Sequence, residues 1–241
     1  MKYLGSKRRI AKDILTIILD GMKKGDYFVD AFCGGCNLLD KVPNTFNRIA
    51  NDRNEYLIAM WKCLQQGEIF TETISRDLYS KAREAYRKED FSLFTKGEIG
   101  WIGFMGSYNG RYFSGGYSGH DVNGRDYISE QIRNTLSQIP LLSDVDFRCG
   151  SYEEIMLPRP VSKTTIYCDI PYKDVKQYTT SRNFDYERFY DWCREKHAEG
   201  YRVFVSEYQM PDDFKCVWQK QITNSMNQTI TKKPIEKLFT L

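Results

Sequence analysis

Apolar residues follow two rhythms along this chain. In DYFVDAF they run almost unbroken from Tyr27 to Ala31, the mark of a short strand buried on both faces. RIAND, from Arg48 to Asp52, predicts a second such strand ending in a carboxylate. Elsewhere apolar positions recur every three or four residues. Around Lys12 and Asp13 they predict an amphipathic first helix; Leu57, Met60, Trp61 and Leu64 predict another over NEYLIAMWKCLQQG, stopped by Gly67. NLLDKV is expected to begin a helix between the two strands. Strand–helix–strand–helix is the opening of a parallel α/β sheet.

From about Glu68 the rhythm changes. A helix over Ser75 to Arg87 leads into GEIGWIGFMGSYNGRYFSGGYSGH, which is dense in glycine, aromatics and asparagine and does not read as a strand–helix unit. Helix returns from Arg125 to Ile139, and VDFRCGSYEEI supplies another strand and turn. TTIYCDIPY is a strand ending in a compact polar–apolar motif. DYERFYDWCREKHAEG is a helix stopped by Gly200, and YRVFVSEY is the next strand. VWQKQI and EKLFTL predict a closing antiparallel pair. The expected organisation is one α/β domain made of 1–67 and 140–241, interrupted by an inserted region at 68–139.

Composition narrows the class. A length of 241 residues with 41% hydrophobic content supports one large domain with a real core. No window approaches the roughly 18 consecutive apolar residues of a membrane span, and the basic-then-apolar start reads as an amphipathic helix, not a signal peptide. Seven scattered cysteines, an odd number, fit a reduced cytoplasmic protein. A net charge of +3 does not by itself announce a nucleic-acid partner, although basic residues cluster at Lys7 to Arg9 and from Lys173 to Arg182.

In an open parallel sheet, ligands bind beyond the carboxyl ends of the strands, and three polar motifs fall there. The first is DAFCGGCNLL, Asp30 to Leu39, which admits a redox Cys-x-x-Cys, half a zinc site, or a glycine turn lying against a ligand. The remaining cysteines form no matching pair and His120 and His197 lack ligand spacing, so no metal is expected. Gly34 and Gly35 directly after a strand allow a tight turn and close backbone approach. The second is Asp52, 22 residues after Asp30, placed where a carboxylate can accept both ribose hydroxyls of a nucleoside cofactor. An uninterrupted G-x-G-x-x-G is absent, which counts against a dinucleotide. The third is CDIPY, Cys168 to Tyr172. Asp169 and the carbonyl of Ile170 offer two acceptors, Pro171 stiffens the turn, and Tyr172 offers a flat face. Together these suit a planar exocyclic amine with two hydrogens to donate.

Taken with motif order, the sequence resembles the Dam-like (class D12) DNA adenine-N6 methyltransferases, particularly the phage and bacterial versions. KYLGSK at 2–7 is similar to their N-terminal cofactor motif, VDAFCGG to the D/E-x-F-x-G-x-G motif, IANDRNEYLI to the acidic ribose motif, and CDIPY to the D-P-P-Y catalytic motif. FVSEYQMP and EKLF resemble the family's late strands. The resemblance implies a Rossmann-like sheet with S-adenosyl-L-methionine contacted by Tyr3, Lys7, Asp30, Phe32, Gly34, Gly35, Asp52, Ser151 and Asp169. It implies catalysis by Asp169, Ile170, Pro171 and Tyr172 without a metal, on double-stranded DNA. Two positions depart from the family pattern: Cys36 stands where many relatives carry the second glycine, and Ser151 where an aspartate binds the cofactor's adenine amine.

The implied reaction moves the activated methyl to the N6 amine of an adenine flipped out of the duplex. The inserted region is then the natural target-recognition element, with Tyr108, Asn109, Arg111 and Tyr112 in a groove-entering loop. Lys96 and Arg125 are expected on phosphates, and Lys173, Lys176 and Arg182 in a strand-contacting loop after the catalytic motif. Alternatives are the same chemistry on RNA adenine, cytosine N4 or protein glutamine, and a DNA-binding relative that has lost catalysis.

Overall fold

The computed structural model describes residues 1–120, 123–173, 183–222 and 235–241. Seven strands form one sheet: β1 (Tyr27–Asp30), β2 (Asn47–Asp52), β3 (Asp146–Cys149), β4 (Thr164–Asp169), β5 (Arg202–Glu207), β6 (Lys215–Gln221) and β7 (Ile235–Thr240). Their spatial order is β3-β2-β1-β4-β5-β7-β6. The first five are parallel, while β7 runs antiparallel to both β5 and β6. This is a Rossmann-like sheet. After β1 the chain builds outward through β2 to β3, then crosses back to lay β4 on the other side of β1. The gap beyond β1 and β4 is therefore the topological switch point, where such sheets bind ligands.

Alternation along the central strands splits the core. Phe28, Tyr167, Phe204 and Leu238 lie on one face with α1 (Ala11–Ile18) and α2 (Glu55–Gln65). Ile166, Cys168, Val203 and Val205 lie on the other with α6 (Tyr186–Ala198). Helix starts are locally encoded: Asn54 caps α2 by accepting from the backbone N–H of Tyr56 and Leu57, and Asp185 caps α6. No helix among the described residues is long and apolar enough to cross a membrane.

One expectation fails, and one stretch whose sequence predicts no element holds a helix. NLLDKV makes only a short 3-10 turn at Leu39–Lys41, because Pro43 follows and disfavours helical geometry at Val42. The glycine-rich segment, by contrast, begins as a helix. After α3 (Arg76–Lys88), α4 spans Lys96–Gly106 and starts with a capping box between Thr95 and Glu98. Four glycines in a helix cost about 1 kcal/mol each against alanine. At 97, 100, 103 and 106, however, they let α4 sink against its neighbours: a Cβ on Gly97 would meet Cys63 Sγ at 2.8 Å, and one on Gly106 the Tyr79 ring at 2.8 Å. Tertiary packing outweighs the propensity. Beyond α4, α5 spans Tyr127–Leu136.

Candidate active site

The site is built where the chain leaves β1. Asp30 is buried and accepts from Phe32 N at 3.3 Å, and Cys33 N donates to Asn51 O of β2 at 2.8 Å. Gly34 then turns with φ +46°, its N–H donating to Asp52 Oδ2 at 3.0 Å. The Tyr3 ring closes over this turn; a Cβ on Gly34 would lie 2.6 Å from Tyr3 Cε1 and one on Gly35 2.7 Å from Tyr3 Cβ. Glycine is required here by close approach. Cys36 is fully buried at φ +51°, a left-handed conformation natural to glycine, which is the physical content of its departure from the family pattern. Asp52 Oδ1 accepts from Asn54 N at 2.8 Å. Each Asp52 oxygen thus has one fixed backbone donor and a lone pair left.

Next to it, β4 delivers Asp169 to the same end of the sheet. Its carboxylate meets the buried Lys7 ammonium, with Nζ 2.7 Å from Oδ1. Lys7 Nζ also donates to Gly5 O at 3.1 Å and stands 4.5 Å from the centre of the Tyr172 ring. The turn after Asp169 is held by Tyr186 OH, which donates to Pro171 O at 2.9 Å, and Ile170 is buried. Tyr172 packs edgewise against Tyr208, with centroids 4.5 Å apart, and its hydroxyl donates to Glu236 Oε2 at 2.6 Å. Glu207, buried at the end of β5, accepts from Tyr208 N at 2.6 Å and Lys173 N at 3.2 Å, fixing the chain just after the motif.

Burial dominates the electrostatics. It pushes the Asp169 carboxyl up to about 6 despite Lys7, and Glu207 up to about 7. Burial, reinforced by Asp169, raises Asp30 well above the usual carboxylate range, and burial also raises Asp52. For Lys7, burial pulls the ammonium down, but Asp169 and Glu236 more than reverse this, and its pKa is raised. Among the described residues, four carboxylates, Asp30, Asp169, Glu207 and Glu236, act on the one buried lysine.

The structure brings Tyr3, Lys7, Asp30, Phe32, Gly34, Gly35, Asp52, Asp169, Ile170, Pro171 and Tyr172 to one end of the sheet. Phe32 faces an aromatic wall of Tyr152, Phe184 and Phe189. Ser151 follows β3, but its hydroxyl caps the turn at Tyr152–Glu154, accepting from Glu153 N. Of the residues expected on DNA, Tyr108 and Arg111 are exposed and Asn109 half-buried in the turn after α4. Tyr112 instead stacks inward on Phe104 at 4.5 Å, with its hydroxyl buried. Lys96 pairs with Glu55 at 2.6 Å and Arg125 with Glu130 at 2.5 Å. Lys173 is exposed; Lys176 and Arg182 lie outside the described residues. Glu207, Tyr208 and Glu236 were not singled out by the sequence. Their one signal is an acidic residue closing the otherwise apolar strand RVFVSE.

The chain belongs to the D12 class N6 adenine-specific DNA methyltransferase family, whose model it matches over residues 3–217. No curated protein matches it. Among solved structures it is similar to the rRNA methyltransferase AviRa from Streptomyces viridochromogenes, at 10% identity over 97% of this chain and 84% of that one, with a TM-score of 0.43. The SMU.472 protein, solved with SAH, aligns at 13% identity over 99% of this chain and 53% of that one, with a TM-score of 0.41. A conserved hypothetical protein of Streptococcus pyogenes aligns at 10% identity over 95% and 94%, with a TM-score of 0.38.

Proposed function

We propose that this protein transfers the methyl group of S-adenosyl-L-methionine to the N6 amine of an adenine flipped out of duplex DNA, at a specific site. The observation that carries this reading is the placement of Asp169, Pro171 and Tyr172 at the switch point, beside the Gly34–Asp52 turn.

The donor set fits the cofactor. S-adenosyl-L-methionine carries a sulfonium and an α-ammonium, and the excess of carboxylates over lysine at the strand ends favours a cation. The free lone pairs of Asp52 suit a ribose diol, and the glycine turn beneath Tyr3 leaves backbone free to approach the amino-acid part. Lys7 sits between the two halves of this site. Ser151, already occupied as a cap, is the weakest of the proposed cofactor contacts.

When bound, the cofactor supplies an already activated methyl group, so the protein's task is orientation. Asp169 Oδ and the Ile170 carbonyl accept the two N6 hydrogens, holding the amine pyramidal and its lone pair directed at the methyl. As positive charge develops on N6, the Asp169 carboxylate stabilises it. Tyr172 stacks on the base, offsetting part of the few kcal/mol that extrusion from the duplex costs. Residues 68–139 serve as the recognition region. Tyr108, Asn109 and Arg111 sit on a turn closed by Tyr108 N donating to Gly116 O at 2.9 Å. Gly110 backs this turn onto the Lys2 carbonyl, where a Cβ would come within 2.3 Å. The turn therefore abuts the cofactor motif itself. Tyr112 supports it from inside, while Lys96, Arg125, Lys173, Lys176 and Arg182 are assigned to phosphates from the sequence, Lys96 and Arg125 exchanging Glu55 and Glu130 for them.

The test is incubation with methyl-labelled S-adenosyl-L-methionine and mixed-sequence duplex DNA, followed by digestion to nucleosides. The expected label is N6-methyl-2′-deoxyadenosine. Label in N4-methyl-2′-deoxycytidine contradicts the proposal, as does label in RNA but not in DNA when the two are incubated in parallel.

A further inference from the structure

Lys7 occupies a place that the reaction needs. Its ammonium hydrogen-bonds Asp169 at 2.7 Å while standing over the Tyr172 ring at 4.5 Å. An amine donating to Asp169, with its base on Tyr172, requires that same volume. Lys7 is thus a resident stand-in for the target amine, and something must hold it once the target arrives. With Asp169 engaged by the target, the buried ammonium keeps the neutral Gly5 carbonyl but no close counter-charge, which is costly.

One carboxylate is positioned for this. Glu236 of β7 is buried, and its Oε2 lies 3.9 Å from Lys7 Nζ. A shift of about 1 Å brings the two to hydrogen-bond distance. The same Oε2 accepts from Tyr172 OH at 2.6 Å, so Glu236 holds both the ring on which the base would lie and the ammonium's alternative berth. Glu236 stands opposite Lys220 of β6, and from Lys237 onward β7 also pairs with β5.

We propose that Glu236 is a positioning residue for methyl transfer, fixing Tyr172 through its hydroxyl and receiving Lys7 when the target amine takes over Asp169. The inference rests on the adenine-methyltransferase reading above. Beyond Lys7 and Glu236, Asp169 is faced by Asp30 from β1, Glu207 from β5 and the phenols of Tyr3, Tyr167, Tyr172 and Tyr208. Glu236 is one of the groups that raise Asp169, so neutralising it lowers the pH at which Asp169 ionises.

The test is Glu236→Gln, which keeps an acceptor for Tyr172 but no charge for Lys7. Single-turnover methylation of duplex DNA is expected to slow about 10-fold or more, with cofactor affinity at pH 8 within about threefold, since orientation is lost and not binding. Separately, S-adenosylhomocysteine binding followed by calorimetry from pH 5 to pH 8 is expected to show its acid limb displaced downward by about half a unit or more, because a like charge has been removed from beside Asp169. An unmoved acid limb overturns the inference, as does an unchanged turnover rate. Tyr172→Phe removes the hydrogen bond that Glu236→Gln keeps; because the two residues are in contact, their rate losses should be non-additive, and full additivity overturns the shared role. If Glu236→Gln melts far below the parent, Tyr172→Phe decides alone: a rate loss of severalfold at unchanged cofactor affinity supports the inference, and an unchanged rate sinks it. Should the parent protein put no label into DNA, the earlier reading fails and this inference falls with it; a parent that labels DNA beside a Glu236→Gln variant of unchanged rate overturns this inference alone.

Discussion

Gly100 lies so close to Tyr56 that a Cβ added to it would come within 2.1 Å of the Tyr56 carbonyl oxygen. That oxygen is backbone inside α2 and has nowhere to go. Gly100→Ala must therefore separate α4 from α2, and a loss of about 3 kcal/mol or more is expected. Urea unfolding measures it, and a variant within about 1 kcal/mol of the parent would show that α4 adjusts freely.

On the proposed reading, Asp169→Ala removes the acceptor for the target amine: methyl transfer is expected to vanish, whereas duplex binding, assigned there to other residues, stays within a few-fold. A gel-shift titration alongside the labelling assay separates the two. Tyr172→Ala should cost more in turnover than in cofactor affinity; the opposite ratio would move its ring to the cofactor.

At the strand ends the sign of pH dependence is set by raised carboxyl groups. Asp169 ionises at about 6 and Glu207 at about 7 in the folded chain, above the usual carboxylate values of about 4. The folded state then binds more protons than the unfolded one between roughly pH 4 and pH 7, so these groups remove stability as pH rises through that window. A cationic ligand relieves the crowding. The gain in melting temperature from S-adenosyl-L-methionine should be larger at pH 7.5 than at pH 5.5, as thermal scans at the two pH values would show. A gain that shrinks with pH would contradict the charge argument. Activity should likewise rise with pH through about 6, as Asp169 ionises.

The two left-handed positions of the turn should respond oppositely. Gly34→Ala forces a Cβ into the Tyr3 ring at a positive φ, and a loss of about tenfold or more in cofactor affinity is expected. Cys36→Gly keeps the conformation and relieves a strained residue, at the cost of a small buried thiol. It should leave affinity within about threefold. Calorimetry on both variants checks the contrast.

How far the chain could be read follows from where its signals lie. Tyr27–Asp30 and Thr164–Asp169 were visible as apolar runs because both faces of a central parallel strand are buried. Asp52 and Asp169 were visible because a polar residue ending such a run is conspicuous. The glycine-rich helix α4 was not, since a residue chosen for close packing looks the same in sequence as one chosen for a turn. Tyr112 was read as a groove contact, although its ring belongs to a cluster with Tyr56, Tyr86 and Phe104. Exposure of an aromatic is decided by tertiary neighbours. Glu236 was hidden for a related reason: its partners Lys7, Asp169 and Tyr172 are distant in sequence and meet only because β7 is inserted beside β5.

The glycine row of α4 has an evolutionary consequence. A helix walled in by Tyr56, Cys63 and Tyr79 has almost no freedom to vary, yet it carries at its end the exposed turn of Tyr108 and Arg111. Substitution is thereby channelled away from the pedestal and into the few side chains it presents. If the turn reads the target as proposed, new sequence preferences are sampled by exchanging those tips while the registration of the turn against the methyl-transfer centre is preserved.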